Sequence, residues 1–259
     1  MTRIVRYKDK ENSIHYGKIE NGKVHQLAGD FNDLVNGEYI ETDIIYNYSD
    51  IELLVPVTPN KIINFGWTYV EHATETGGQP YLNEPLFFLK PTTTLIPHRD
   101  HVILPPENLT SQVELEGELA IIIGKRGRNI PEEEALDYVL GCTIINDVTA
   151  RDLTTNDPQY TRGKGFDTFA PLGPNITIGL NPTKLNIKTR LNNNVVQQGN
   201  TSEMTLKIPF LISWVSQIMT LEPGDVLATG SPGGSCLIKS GDVIEIEVEN
   251  IGTLCNQVI

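Results

Sequence analysis

The chain has 259 residues, a length suited to one large domain or to a small module joined to a catalytic domain. Hydrophobic residues make up 39% and charged residues 20%, which is typical of a globular protein and excludes a disordered, tail-like chain. Aspartate and glutamate total 33 against 20 lysines and arginines, so the formal net charge is −13. Because such a surface repels phosphate backbones and anionic lipids, we expect no nucleic acid partner and no membrane partner.

Two further features favour a cytoplasmic protein. Residues 1–13 carry charges where a signal peptide needs an apolar core, and the apolar stretch at residues 208–215 is too short to span a bilayer. The cysteines Cys142, Cys236 and Cys255 are odd in number, far apart and without a CxxC pair. We therefore expect reduced thiols rather than a disulfide framework.

Residues 1–57 predict a small N-terminal β module. Short alternating runs are separated by turn residues, and Asn21-Gly22 lies between two of them, a signal typical of a tight hairpin. Pro56 and Pro59 then favour a boundary, since closely spaced prolines resist both a helix and a central strand. We assign residues 58–259 to a second, larger domain.

Strands dominate the pattern of this second domain. Residues 119–123 form an unbroken apolar run of strand length, and residues 243–248 alternate apolar and acidic side chains. Helical signals are few: Pro131 and three following glutamates begin one candidate helix, and residues 202–220 contain another. The combination predicts an α+β, mainly β fold, with a rolled mixed β-sheet and a few outer helices.

The most informative segment is VELEGELAI at residues 113–121. In a continuous strand, Glu114, Glu116 and Glu118 would project on the same side, with neighbours about 6 to 7 Å apart. A solvated acidic face is the plainer interpretation of this alternation. The segment continues, however, into an isoleucine run that is typical of a strand buried on both faces. This continuation favours a carboxylate site.

Asp147 strengthens the hypothesis of a carboxylate site. It ends the apolar strand predicted at residues 143–147, and catalytic groups often lie at strand ends. Two glutamates from one strand and this aspartate from the next would form an all-oxygen site. Such a site selects Mg²⁺ or Mn²⁺ over zinc. The alternative is that Asp147 caps a turn.

His72 and Glu75 form a candidate catalytic pair. They are three residues apart, so on a helix they would share a face. A carboxylate beside an imidazole orients the ring and raises its basicity, which suits a general base. The alternative is an ordinary helix pair on the surface.

Three basic residues accompany these acids. Lys164 lies between two glycines, which allow the backbone to approach a ligand closely. Lys90 lies in an apolar run where an unpaired charge is costly to bury, so it is either an edge residue or a carboxylate binder. We expect Arg151 to anchor Asp147 or Asp152.

Six segments, taken in order, resemble the fumarylacetoacetate hydrolase family over roughly residues 58–259. They are GWTYVEHATE (66–75), PLFFLKP (85–91), ELEGELAIIIGK (114–125), GCTIINDVTARD (141–152), QYTRGKGFDTFAPLGP (159–174) and LEPGDVLATGSPGG (221–234). The resemblance implies a metal site made of Glu116, Glu118 and Asp147. It implies Mg²⁺ or Mn²⁺ as the cofactor, with Ca²⁺ able to substitute in crystals, and it assigns no role to Glu114.

The resemblance also implies roles for the remaining candidates. His72 and Glu75 would lie on a short lid helix and act with Lys164 in catalysis, while three residues would bind substrate: Lys90, Thr229 and Tyr160. Thr68 and Thr154 stand where many members carry asparagine and glutamine. We expect these departures to affect the substrate rather than the metal site.

The activity that the resemblance implies is metal-dependent chemistry on small 2-oxo or β-diketo acids through a metal-bound enolate. C–C bond hydrolysis, decarboxylation and keto–enol or double-bond isomerisation, as in 2-hydroxyhepta-2,4-diene-1,7-dioate isomerase, share this intermediate. The sequence does not choose among them. The alternatives are a dehydratase or hydrolase of sugar-derived 2-keto acids and a non-catalytic metal- or metabolite-binding β domain. Most family members pair through the catalytic domain, so we expect a homodimer.

Overall fold

The computed structural model describes residues 1–79 and 83–259. Strands account for most of the regular structure in these residues: β1 (Thr2–Lys8), β2 (Ile14–Glu20), β3 (Lys23–Ala28), β4 (Ile40–Asn47), β5 (Glu52–Leu53), β6 (Ile62–Gly66), β7 (Leu86–Lys90), β8 (Leu95–Ile96), β9 (His101–Val102), β10 (Val113–Leu115), β11 (Gly117–Ile123), β12 (Val139–Asn146), β13 (Thr149–Ala150), β14 (Ala170–Ile178), β15 (Asn186–Leu191), β16 (Asn194–Asn200), β17 (Val226–Ala228), β18 (Cys236–Leu237), β19 (Val243–Val248) and β20 (Gly252–Val258).

Helices are short by comparison. The α-helices are α1 (Phe31–Asn36), α2 (Val70–Glu75), α3 (Arg151–Asn156), α4 (Thr161–Lys164) and α5 (Ile208–Ile218). Single 3₁₀ segments cover Tyr48–Asp50, Thr92–Thr94, Glu132–Tyr138 and Thr201–Glu203. The prediction of an α+β, mainly β fold is confirmed.

Both predicted helices are present, with different extents. The longer α5 begins at Ile208 with proline in its first turn, where the missing N–H costs nothing, and it ends at Ile218. The segment after Pro131 is a 3₁₀ helix rather than an α-helix, a form that proteins use for short connecting pieces. None of the helices in the described residues is long and apolar enough to cross a bilayer.

Most strands join one twelve-stranded sheet. Its order is β4-β3-β2-β1-β14-β12-β11-β17-β6-β7, with β5 beside β1 and β8 beside β14. The pairs β17–β6 and β14–β8 are parallel and the other pairs are antiparallel, so the sheet is mixed as predicted. A five-stranded sheet has the order β16-β15-β19-β20-β9, and a three-stranded sheet the order β13-β10-β18.

The N-terminal strands continue the large sheet. Ile4 of β1 pairs with Ile176 of β14, and β2 and β3 form the predicted hairpin. Asn21 and Gly22 have φ angles of 50° and 74°, the left-handed values that a tight hairpin turn requires. The domain boundary at residue 57 stays a prediction.

The central strand β11 is buried on both faces. Leu119, Ile121 and Ile123 face a core that includes α5 and the five-stranded sheet, while Ala120 and Ile122 belong to a second apolar cluster. A strand covered on both sides needs apolar residues at every position, which explains the unbroken run in the sequence. Near its start, β11 carries one charged side chain, Glu118, and the rest of the strand is apolar or glycine. The candidate site lies at this end of the strand.

Candidate active site

Three buried carboxylates meet at the start of β11. Glu116 and Glu118 flank Gly117, and Asp147 directly follows β12, whose last residue Asn146 pairs with Gly117. One oxygen of each carboxylate lies within 4.8 Å of the others, and none of the three residues is more than 3% exposed. The structure thus brings together the three residues predicted to bind metal.

The strand predicted through residues 113–121 is interrupted at Glu116. β10 pairs with β13 and β18, whereas β11 belongs to the large sheet, so Glu116 joins two sheets. Its backbone N–H donates to Asn146 Oδ1 at 3.0 Å, a side-chain bond that replaces the missing strand bond. A side chain at Gly117 would lie 2.3 Å from Thr189 Oγ1, so only glycine fits the crossing.

Two buried lysines neutralise part of the charge. Lys164 Nζ donates to Glu116 Oε2 at 2.8 Å and to Asp147 Oδ2 at 2.6 Å. Lys90 Nζ donates to Asp147 Oδ1 at 2.6 Å and to two backbone carbonyl oxygens at 2.7 and 3.0 Å. All three donors of Lys90 are therefore used, as burial of an ammonium group requires.

Arg151 does not anchor Asp147 or Asp152, so that prediction is wrong. Its Nε donates to Glu114 Oε2 at 2.8 Å, and its Nη2 donates to Glu116 Oε1. The reason is the pairing of β10 with β13, which places Glu114 beside the start of α3. Glu114, which had no predicted role, holds Arg151 against the carboxylate cluster.

Glu118 is short of positive charge. It accepts a hydrogen bond from the Gly230 N–H at 2.7 Å, and in residues 1–79 and 83–259 no basic side chain is paired with it. Burial, followed by the charges of Asp147 and Glu116, raises its pKa well above the usual value. Burial would also raise the pKa of Glu116, but the charges of Lys164 and the neighbouring arginine lower it below the usual value.

This charge distribution fits a hard divalent cation. Three convergent oxygen donors match the ligands that Mg²⁺ and Mn²⁺ prefer, and the deficit of positive charge lies on Glu118. Glu116, Glu118 and Asp147 are the residues that could hold the ion.

The predicted pair of His72 and Glu75 lies on α2 beside this cluster. His72 Nδ1 is 2.8 Å from Glu75 Oε1, and His72 Nε2 is 3.6 Å from Glu116 Oε1, which is too long for a hydrogen bond. Glu75 also accepts from the backbone N–H groups of Gly234 at 2.7 Å and Ser235 at 3.3 Å. These bonds tie α2 to the loop that follows β17.

The hydrogen bonds of Glu75 determine which nitrogen of His72 carries the proton. Burial raises the pKa of Glu75, but the hydrogen bonds from His72 and Gly234 outweigh it and lower the pKa below the usual value. An ionised carboxylate only accepts, so when the imidazole carries a single proton, that proton lies on Nδ1. His72 Nε2 is then a proton acceptor on the side of the carboxylate cluster.

A cavity of about 230 Å³ joins these groups. His72, Lys164 and the three carboxylates line it, together with Phe88 and Tyr160. The Phe88 and Tyr160 rings pack edge to face with centroids 5.5 Å apart, and Lys164 Nζ is 4.9 Å from the Phe88 centroid. The lining therefore combines aromatic rings with ionic groups, an arrangement suited to a small anionic ligand.

The predicted substrate-binding residues differ in whether they line the cavity. Tyr160 lines the cavity, whereas Lys90 and Thr229 are absent from the described part of its wall. Thr229 Oγ1 donates to the Leu119 carbonyl at 3.0 Å, and Ser231, two residues later, lines the cavity. The functional roles of these three residues stay predictions.

Among the cavity residues that the sequence analysis did not predict, Trp67 and Ser231 have distinctive contacts. Trp67 has a φ of 56°, a rare value for a bulky residue, and a side chain at Gly78 would lie 2.7 Å from its ring. Ser231 is oriented by Gln197 from another sheet. Neither feature has a local sequence signal, because each depends on contacts between distant segments.

Comparisons with known proteins confirm the family resemblance found in the sequence. Residues 61–259 match the family model described as fumarylacetoacetate (FAA) hydrolase C-terminal, and residues 2–56 match the model described as Rv2993c-like, N-terminal. The oxaloacetate tautomerase YisK of Bacillus subtilis is 41% identical over 227 residues, which cover 83% of this chain and 75% of that protein.

Two solved structures are similar over nearly their whole length. The 2-hydroxyhepta-2,4-diene-1,7-dioate isomerase from Mycobacterium marinum is 34% identical with a TM-score of 0.90, covering 100% of this chain and 98% of that one. The maleylpyruvate hydrolase from Sphingobium sp. SYK-6, in complex with manganese(II) and pyruvate, is 29% identical with a TM-score of 0.82, covering 99% and 98%.

Proposed function

This chain belongs to the fumarylacetoacetate hydrolase family, and from this premise we propose that it is a divalent-metal-dependent tautomerase of small 2-oxo acids. The observation that carries the proposal is the meeting of Glu116, Glu118 and Asp147 with His72 in one cavity. Two relatives named oxaloacetate tautomerase, 40% and 41% identical, support oxaloacetate as the leading substrate.

The metal part of the proposal rests on the three carboxylates. Glu118 lacks a cationic partner in the described residues, and its raised pKa reflects burial and then repulsion from Asp147 and Glu116. When bound, Mg²⁺ or Mn²⁺ would supply positive charge that stabilises the enolate form of a 2-oxo acid. The Sphingobium hydrolase supports this assignment, since its structure contains manganese(II) and pyruvate, which is itself a 2-oxo acid.

His72 would move the proton that interconverts the two forms. Its Nε2 is the acceptor nitrogen on the side of the carboxylate cluster, and Glu75 stabilises the imidazolium that forms when Nε2 takes the proton from C3. Delivery of that proton to the enolate oxygen completes the change from keto to enol, with no net gain or loss of atoms. Lys164 keeps a fixed positive charge beside the cluster throughout.

The size of the cavity favours a short substrate. Its volume of about 230 Å³ is below the range of about 300 to 1,000 Å³ typical of sites for drug-sized ligands. A four-carbon dicarboxylic acid is small enough for such a site.

We also propose that the active form is a homodimer without nucleic acid or membrane partners. A measurement of the protein's mass in solution tests whether it is a dimer.

C–C bond hydrolysis of an acylpyruvate is the second candidate. The same pair of His72 and Glu75 would activate a water molecule instead of moving a C3 proton. The structural likeness to a maleylpyruvate hydrolase favours this reaction. The two candidates differ in their products, because hydrolysis releases pyruvate and a second acid whereas tautomerisation releases neither.

The decisive experiment compares substrates and metals. Oxaloacetate, acetylpyruvate, fumarylpyruvate and 2-hydroxyhepta-2,4-dienedioate are assayed with Mg²⁺, Mn²⁺ and EDTA, using absorbance of the enol for tautomerisation and released pyruvate for hydrolysis. We expect metal-dependent tautomerisation of oxaloacetate, lost in Asp147→Asn and kept in Asp43→Asn, an exposed control. Full activity of Asp147→Asn, or in EDTA, would contradict the proposal.

A further inference from the structure

A single buried amide connects the carboxylate strand to the loop after β17. Gln197 on β16 is 1% exposed, whereas its neighbour Gln198 is exposed. Its Oε1 accepts from the Gly117 N–H at 2.9 Å. Its Nε2 donates to Ser231 Oγ at 2.7 Å and to the Pro232 carbonyl at 2.9 Å. Both ends of the amide are therefore used at the candidate site.

The contact with Gly117 fixes the point from which two metal-binding candidates extend. Gly117 lies between Glu116 and Glu118, and a side chain built there would be 3.2 Å from Gln197 Oε1. The strand thus passes directly over the amide of Gln197. Since Glu116 lies outside β10 and β11, this bond helps to set where both carboxylates lie.

The contact with Ser231 positions the loop that follows β17, which forms another part of the cavity lining. Ser231 lines the cavity, and its loop carries the Gly230 N–H that bonds Glu118 and the Gly234 N–H that bonds Glu75. A side chain at Gly234 would lie 2.0 Å from the Val196 carbonyl oxygen, so the loop packs against β16 at this point.

We infer that Gln197 is a positioning residue whose one amide sets both the spacing of the carboxylate ligands and the position of the cavity loop. It acts through Gly117 and Ser231 rather than by touching substrate. The inference rests on the proposed function, because it concerns the same metal and the same cavity. Residues that orient metal ligands typically change metal affinity by about 10- to 100-fold when mutated.

The test compares Gln197→Met with Gln198→Met, which makes the same substitution at the exposed neighbour. The measured quantities are the Kd for Mn²⁺, from the electron paramagnetic resonance signal of the free ion, and the KM for oxaloacetate. We expect Gln197→Met to weaken Mn²⁺ binding by about 10- to 100-fold and to raise KM. We expect Gln198→Met to leave both within about twofold of the unaltered protein.

A conservative variant separates positioning from general stability. Gln197→Glu keeps an acceptor for the Gly117 N–H but loses the two donors to Ser231 and Pro232. We expect its Mn²⁺ affinity to return to within about threefold of the unaltered protein while KM stays raised. A Gln197→Met protein with a lower melting temperature but unchanged Kd and KM would overturn the inference. Should Gln197→Met not fold, Gln197→Glu decides alone, and an unchanged KM overturns the inference.

Two controls distinguish failure of the inference about Gln197 from failure of the proposed function. If the unaltered protein binds no Mn²⁺, or if Asp147→Asn binds Mn²⁺ equally tightly, the assignment of the metal site is wrong. The inference about Gln197 is then overturned with it. If the unaltered protein binds Mn²⁺ through Asp147 but Gln197→Met matches it in Kd and KM, only the inference about Gln197 is overturned.

Discussion

Replacing Glu118 by glutamine should stabilise the metal-free protein while removing its metal site. A Glu118 oxygen lies within 4.8 Å of oxygens of both Glu116 and Asp147. At an effective dielectric constant of about 20, each such pair repels by about 3 to 4 kcal/mol. Lys164 offsets part of this repulsion, so we expect Glu118→Gln to gain about 1 to 3 kcal/mol in the free energy of unfolding.

The hydrogen bonding around the site supports the same direction of change. The glutamine oxygen can keep the bond from the Gly230 N–H, and the new amide N–H₂ can donate to the neighbouring carboxylates. Thermal unfolding in EDTA should show a rise of about 2 to 12 °C in Tm.

The same melting experiment tests whether Glu118 is needed for metal binding, and it includes an exposed control variant. Excess Mn²⁺ should raise the Tm of the unaltered protein but not that of Glu118→Gln. The exposed control Glu133→Gln should change stability by no more than about 0.5 kcal/mol. If Glu118→Gln melts below the unaltered protein in EDTA, the electrostatic reasoning about this cluster is refuted.

Three further predictions follow from individual contacts. His72→Gln should still bind Mn²⁺ but lower the tautomerisation rate by about 10²- to 10⁴-fold, and an unchanged rate would remove His72 from the mechanism. Lys90→Met removes the buried cation that donates to Asp147 Oδ1 and to two backbone carbonyls, so the unfolding free energy in EDTA should fall by about 3 to 5 kcal/mol; a loss below about 1 kcal/mol would contradict this. Burial and then the Arg99 charge lower the pKa of His98 to about 4, whereas the usual histidine pKa is about 6.5. Between these values the unfolded chain binds the proton more tightly, so the protein should lose stability as pH falls from about 6.5 towards 4. His98→Asn keeps an acceptor for the Cys255 N–H and should flatten this dependence in urea unfolding measured across that pH range.

The metal-binding candidates could be predicted because their signals are local. The period of a strand groups Glu114, Glu116 and Glu118, and the end of an apolar run marks Asp147. The resemblance to the family is what selects Glu116 and Glu118 from the three glutamates. The His72–Glu75 pair is likewise visible from helical spacing. In each case the informative residues are at most a few positions apart.

The parts that could not be predicted depend on pairing between distant strands. The break at Glu116 arises because β10 and β11 join different sheets, and it gives Glu114 a partner in Arg151. Gln197 reads in sequence as one more polar residue on an alternating strand, yet it lies under Gly117, 80 positions away. Local periodicity contains no information about such pairings.

The stability changes expected for Glu118→Gln and Lys90→Met have opposite signs. This difference distinguishes a binding site from a structural ion network. In a network that serves stability alone, each charge compensates another, so removal of any member leaves a buried charge unpaired and lowers stability. Here removal of Lys90 should destabilise the metal-free protein, whereas neutralisation of Glu118 should stabilise it, because Glu118 is the carboxylate of this cluster that no basic side chain of the described residues pairs with. A cluster with one negative charge too many gains stability from an added cation, and such a cation is what the proposed chemistry requires.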